Sequence, residues 1–171
     1  FVRAMENRAK NGQPLARIES VASFFLSRVD VLVDSLLEKT VQAGNENAQR
    51  AKDLRGKAAI ASAKLAYQIY LEIFESDTFG NLAVKGARSQ RVLWASTGTK
   101  DPKVSDVKYV EALIGAETVK IVPLETLNAY RNHGKPADRI EEGIGEARAV
   151  LKDLADIGID MAAVSQQLEN E

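Results

Sequence analysis

The chain has 171 residues, with 23 Lys and Arg against 24 Asp and Glu, and no cysteine. That near-neutral balance argues against nucleic acid or an anionic membrane as the main partner, because both demand concentrated basic charge. The missing cysteines exclude a disulfide scaffold, a thiolate nucleophile and a cysteine zinc site. No stretch approaches the ~18 consecutive apolar residues of a transmembrane helix.

One domain with its own core fits this length. Residues 1–12 are amphipathic and end at Asn11-Gly12, a helix stop signal. They open on Phe1 with neither an initiator Met nor a cap, and they lack the apolar region of a signal peptide. This start reads as the middle of a helix, so the length is expected to be that of a piece.

Beyond Pro14, the run Ser20 to Leu26 is short, apolar and rich in β-formers, which suits a buried strand. Asp30 is expected to cap a helix carrying Val33, Leu36, Leu37 and Val41 and stopping at Gly44. Residues 45–53 are polar. The longest helical pattern starts at Leu54, with two i, i+4 stripes, Leu65/Ile69/Ile73 and Ala66/Tyr70/Phe74, that predict a broad buried face. Arg91 to Ser96 is again strand-like and runs into the turn-rich loop 97–102. Asp106 is placed to cap a short helix through Val107, Val110, Leu113 and Ile114. Thr118 to Val122 is a third strand, with Pro123 in the first turn of the helix after it. The last strong pattern runs from about Arg139 to Gly158. Strands separated by helical segments imply crossover connections and a parallel sheet. Three short strands against six or so helices make a poor closed sheet. No repeat, low-complexity tract or linker divides the chain.

Several chemical signals fail on inspection. Gly56-Lys57-Ala58 resembles the end of a P-loop, but Ala58 lacks the hydroxyl that holds magnesium, and Ala51 stands where the first glycine belongs. Gly143-Ile144-Gly145 lies within an amphipathic pattern rather than in a strand-to-helix turn. His133 is the only histidine and reads as an exposed helix-end residue facing the negative end of the dipole. Glu141 and Glu142 read as a solvated face. Lys120 has two readings: a desolvated amine suited to Schiff-base formation, or a strand residue whose ammonium reaches out to water.

The strand ends are more informative, because function in parallel α/β folds gathers at the C-terminal ends of strands. Alternation puts Ser23 and Phe25 on one face, and Arg28 follows with a planar fork suited to a phosphate or carboxylate. The plainer alternative pairs Arg28 with Asp30 or Asp34. After the second strand, Ser96-Thr97-Gly98-Thr99-Lys100 combines hydroxyls, a glycine and a cation, chemistry that suits an oxyanion. Its alternative is an ordinary turn. The pair of loops is more persuasive than either alone.

Ser20-Val21-Ala22-Ser23-Phe24-Phe25-Leu26-Ser27-Arg28-Val29-Asp30 resembles the strand-six signature of transaldolases, and Trp94-Ala95-Ser96-Thr97-Gly98-Thr99-Lys100 is similar to the strand-seven signature of their longer bacterial subfamily. Leu54 to Ala61, Ala63 to Tyr67 and Ser105 to Val110 resemble that subfamily too. The resemblance implies an α/β fold, helix-rich, forming part of a (β/α)8 TIM barrel: about strands 6 to 8 with their helices. Residues 1–171 would then be the C-terminal portion of a single barrel domain, truncated at both ends. It implies a cytoplasmic enzyme of the pentose phosphate pathway, without metal or cofactor. Such an enzyme transfers a dihydroxyacetone unit from sedoheptulose 7-phosphate to glyceraldehyde 3-phosphate through a lysine Schiff base.

By the same resemblance, Arg28 binds the substrate phosphate, Ser96 lies in the site, and Ser23 and Phe25 form its wall. Shorter transaldolases carry a second phosphate-binding arginine just beyond that serine; none stands here, and Lys100 is the substitute. Asp101 occupies a place where asparagine is expected. The Schiff-base lysine is expected upstream, so no catalytic residue is expected in this chain, which should be inactive alone. The expected partners are sugar phosphates and the remainder of the same barrel, with no nucleic acid and no membrane. Two alternatives stay open: a related class I aldolase, and a complete helical module whose Leu65/Ile69/Ile73 and Ala66/Tyr70/Phe74 faces bind other proteins.

Overall fold

A computed structural model describes residues 1–99, 101 and 103–170. Its centre is a parallel sheet of three strands, β1 (Ser20–Phe25), β2 (Gln90–Ala95) and β3 (Thr118–Lys120), in the order β1-β2-β3. Ser23 pairs with Leu93 and Phe25 with Ala95, while Leu93 pairs with Val119 and Trp94 with Lys120. Side chains alternate across a strand, so this register sorts the sheet into two faces. Ala22, Phe24, Val92, Trp94, Thr118 and Lys120 share one; Val21, Ser23, Phe25, Arg91, Leu93, Ala95 and Val119 share the other.

The first of these faces is covered by helices except at Ala22, which is exposed. Val92 and Trp94 join the main core with Leu26, Val33 and Leu37 of α2 (Leu26–Gln42). Tyr67 of α4 (Ala58–Phe74), Leu154 of α8 (Ile144–Asp156) and Val164 of α9 (Met161–Glu169) complete it, with Leu113 just past α6 (Lys108–Ala112). Trp94 is fully buried and meets Phe24 edge-on, 5.8 Å between centroids. The opposite face is largely bare: Val21 and Phe25 are 41% and 45% exposed, and Ser23 and Arg91 are exposed as well. Only Leu93 and Ala95, on the central strand, are buried there.

A second, smaller core joins Met5 of α1 (Val2–Lys10) to Leu15, Ala87, and Phe79 and Leu82 of α5 (Asp77–Ala83). The remaining helices are α3 (Ala48–Leu54) and α7 (Leu124–His133). No helix among the described residues is long and apolar enough to cross a membrane.

Several boundaries differ from the sequence reading. Asp30 is not a cap: α2 begins directly after β1, at Leu26, and Asp30 is buried inside it. The helical pattern from Leu54 is broken at Gly56, whose φ of +67° ends α3 and lets α4 start afresh at Ala58. Neither predicted stripe of α4 is buried along its length. Tyr70 packs between Tyr67 and Phe74, whereas Ile69 and Ile73 are 55% and 42% exposed. Asp106 does not cap α6; its carboxylate meets His133 Nε2 at 2.9 Å. His133 is the exposed last residue of α7, as expected. Residues 140–143 are a turn rather than the start of α8, held by Lys64 Nζ donating to the carbonyls of Arg139 (2.8 Å) and Glu142 (2.5 Å). The short helices α5 and α9, capped by Ser76 and Asp160, were not anticipated.

Candidate functional site

All three strands point the same way, so their C-terminal ends gather at one end of the sheet. Ser23 and Phe25 lie on its open face, and Phe25 is followed at once by the first turn of α2. Arg28 stands in that turn, exposed, its guanidinium carbon 5.2 Å from the centre of the Phe25 ring. This contact holds the cation beside the strand end while leaving its N–H donors available. Among the described residues, no ion pair joins Arg28 to Asp30 or Asp34. Asp30 accepts from Ala59 N–H, Lys108 Nζ and Tyr109 Oη, each at 2.8 Å, and Asp34 accepts from Gly56 N–H at 2.8 Å.

The end of β2 is built differently. Ser96 adopts a left-handed backbone, φ +53°, which lets the chain leave the strand sharply. Exposed Arg17 and Glu117 do the same, so the angle marks a tight turn rather than a site. The Ser96 carbonyl accepts from Ser27 N–H at 3.0 Å, which joins the two strand ends through backbone. Thr97 is fully buried and donates from Oγ1 to the Ile121 carbonyl (2.8 Å), tying β2 to the segment after β3. Its hydroxyl is therefore structural. At Gly98 an added Cβ would lie 3.4 Å from Pro123 and 3.7 Å from Thr126 Oγ1, so the turn passes close to the start of α7. Lys100 lies outside the described residues. Asp101 folds back on its own segment, accepting from Lys103 N–H at 2.8 Å.

Lys120 belongs elsewhere. It pairs with Trp94 in the register and shares the helix-covered face, opposite Ser23 and Phe25. Its ammonium donates to the Leu113 carbonyl at 3.0 Å, and burial holds its pKa below the usual lysine value. A depressed pKa alone makes a lysine look nucleophilic, but this amine is directed at the end of α6 and away from the open face.

The sequence reading missed the cluster behind Arg28. Lys108 Nζ bridges Asp30 and the Gly56 carbonyl (2.8 and 2.5 Å), and Tyr109 donates to the same Asp30 oxygen. Burial and that carboxylate push the Tyr109 phenol far above its ordinary pKa, so it stays a donor. One local signal was available: Leu26, Asp30, Val33 and Leu37 fall on one helical stripe, which places a carboxylate among buried apolar residues. No cluster of three metal-ligating side chains occurs among the described residues.

The profile of the family described as Transaldolase/Fructose-6-phosphate aldolase matches residues 2–171. The chain is 47% identical over 170 residues to a transaldolase of Thiobacillus denitrificans, covering 99% of this chain and 46% of that protein. A protein named transaldolase 2 from Nostoc sp. is 44% identical over 173 residues, with 98% and 45% covered. A transaldolase of Mycobacterium bovis is 42% identical over 173 residues, with 100% and 45% covered. The chain thus spans a little under half the length of the curated relatives it matches.

Proposed function

The chain belongs to the transaldolase/fructose-6-phosphate aldolase family, and from that premise we propose that it forms the phosphate-binding part of a transaldolase. In this reading the three strands and their helices are one sector of a (β/α)8 barrel. The rest of the barrel covers the open face at Val21, Ser23 and Phe25 and brings the lysine that forms the Schiff base. The reaction transfers a dihydroxyacetone unit from sedoheptulose 7-phosphate to glyceraldehyde 3-phosphate. It is a metabolic step expected in the cytoplasm.

Arg28 takes the phosphate of the sugar through its planar fork. Ser96 donates a hydroxyl from the neighbouring strand end, and Lys100 adds a second cation. Ser23 and Phe25 line the wall. The observation that supports this reading best is Arg28 itself: it is fixed over Phe25 at the C-terminal end of β1, while both nearby carboxylates are engaged by other donors. A cation so placed, next to a hydroxyl-rich turn, suits a dianionic group entering from the open face.

The experiment is kinetic, on the full-length enzyme. Arg28→Ala should raise KM for the sugar phosphate by about 100-fold, the loss of a charge-assisted bidentate contact, with a smaller effect on kcat. An unchanged KM for both phosphorylated substrates would remove Arg28 from the site. The family description also names fructose-6-phosphate aldolase, so an aldolase that cleaves rather than transfers is the second reading. Turnover of fructose 6-phosphate that depends on an added acceptor aldehyde favours transfer; release of free dihydroxyacetone without one favours cleavage.

A further inference from the structure

Arg28 and Asp30 are two residues apart on α2, and two helical steps of 100° put them on nearly opposite faces. Arg28 is exposed beside the strand ends, whereas Asp30 is 4% exposed and turned into the helical layer. Three donors from two separate segments converge on this carboxylate. Ala59 N–H comes from the first turn of α4, and Lys108 Nζ and Tyr109 Oη come from the start of α6. Lys108 also donates to the Gly56 carbonyl, and Asp34, one turn beyond Asp30, accepts from Gly56 N–H. Gly56 suits its place through a φ of +67°, which favours glycine, and a Cβ there would stand 3.2 Å from Lys108 Nζ, a tight contact with the end of that side chain.

The segment that leaves β2 at Ser96 arrives at α6 with Lys108. At its near end it is tied to α2 by the bond from Ser27 N–H to the Ser96 carbonyl. At its far end it is tied to the same turn of α2 by Lys108 and Tyr109 on Asp30. Both ends of the segment are therefore anchored within four residues of α2, 27 to 30, and Arg28 lies inside that interval.

We infer that Lys108, acting through Asp30 together with Tyr109, is a positioning residue that fixes the first turn of α2 against the β2–α6 segment and so sets the spacing between Arg28 and Ser96. The inference rests on the reading of Arg28 as the phosphate ligand. Lys108 is not itself that ligand, because its charge is matched by Asp30 and its ammonium is held in the layer behind. Its influence is geometric: a clamp on a phosphate dianion loses much of its grip when one arm shifts by about 1 Å.

The test compares two substrates in the full-length enzyme: fructose 6-phosphate and unphosphorylated fructose as donors, each with the same acceptor. The readout is the ratio of their kcat/KM values. Arg28→Ala should collapse the ratio. Lys108→Met should lower it by about tenfold, mainly through KM for the phosphorylated donor. Tyr109→Phe, which changes no charge, should lower it in the same direction by less. A purely structural role would depress both donors alike and leave the ratio where it was. If Arg28→Ala collapses the ratio while Lys108→Met and Tyr109→Phe leave it unchanged, the positioning role is overturned and the reading of Arg28 stands. An unchanged ratio in Arg28→Ala overturns both. Should Lys108→Met fail to fold, Tyr109→Phe alone decides.

Discussion

Asp30 and Lys108, 78 positions apart in the chain, meet at 2.8 Å with side chains only 6% and 18% exposed. A carboxylate that far from water needs its partners, and removing one leaves charge without compensation. Lys108→Met should therefore destabilise the fold by about 3 kcal/mol, read as a shift of the denaturation midpoint in urea. The double variant Asp30→Asn/Lys108→Met should recover part of that loss, since no lone charge remains. A double variant that is as unstable as the two single losses added together would show the pair to be uncoupled.

Asp34 lies one turn from this pair and behaves differently with pH. Burial is the largest influence on its carboxyl and raises its pKa above the usual value of 3.8, although the Gly56 N–H works the other way. A raised folded-state pKa means that the neutral form suits the fold. The associated stability is full below the unfolded pKa and is lost as pH rises through the folded one. Asp34→Asn, which keeps an oxygen for Gly56 N–H, should then melt higher than the parent at pH 7–8. The gap should close near pH 3. A gap that widens toward low pH would reverse the sign and rule out burial as the cause.

Much of the scaffold was readable because local pattern and final environment agree. The apolar runs that became β1 and β2 are bounded by turn residues, and their ends fall within a residue of expectation. Asp30 was misread for a physical reason: a carboxylate ahead of a 3–4 apolar pattern looks like a cap, and nothing nearby announces donors 78 and 79 residues away. Tertiary partners overrode a local rule. The two readings of Lys120 could not be separated by alternation in a strand of three residues; only the register opposite Trp94 assigns its face. The roles proposed for Arg28, Ser96 and Lys100 as one phosphate site come from the resemblance; the residues themselves offered cations and hydroxyls at strand ends suited to an oxyanion, with a surface ion pair and an ordinary turn as the alternatives.

Lys64 makes a comparable long-range tie within the same helical layer. From α4 its ammonium donates to the carbonyls of Arg139 and Glu142, closing the turn that precedes α8. Desolvation lowers its pKa, while Glu142 and Glu146 oppose the shift. Two carbonyls lose their donor in Lys64→Met, at a cost of about 1–3 kcal/mol, and amide exchange should accelerate first in residues 140–147. Faster exchange in β1 and β2 before this turn would mean that Lys64 supports the sheet instead.

Lys120 is the amine most open to mistaken assignment, because burial depresses its pKa as in many Schiff-base lysines. The geometry argues the other way. Its ammonium caps the Leu113 carbonyl on the helix-covered face, and the sheet separates it from Ser23 and Phe25. Lys120→Met in the full-length enzyme should leave the borohydride-trapped adduct with fructose 6-phosphate undiminished, and kcat within about twofold. Removing a cation that the fold holds at a depressed pKa should also change the alkaline behaviour. The parent, whose folded state favours the neutral amine, gains stability relative to the variant as pH rises through the folded pKa toward 10.5. Loss of the trapped adduct in Lys120→Met, with the variant still folded, would make Lys120 the nucleophile and overturn its assignment to the helical layer.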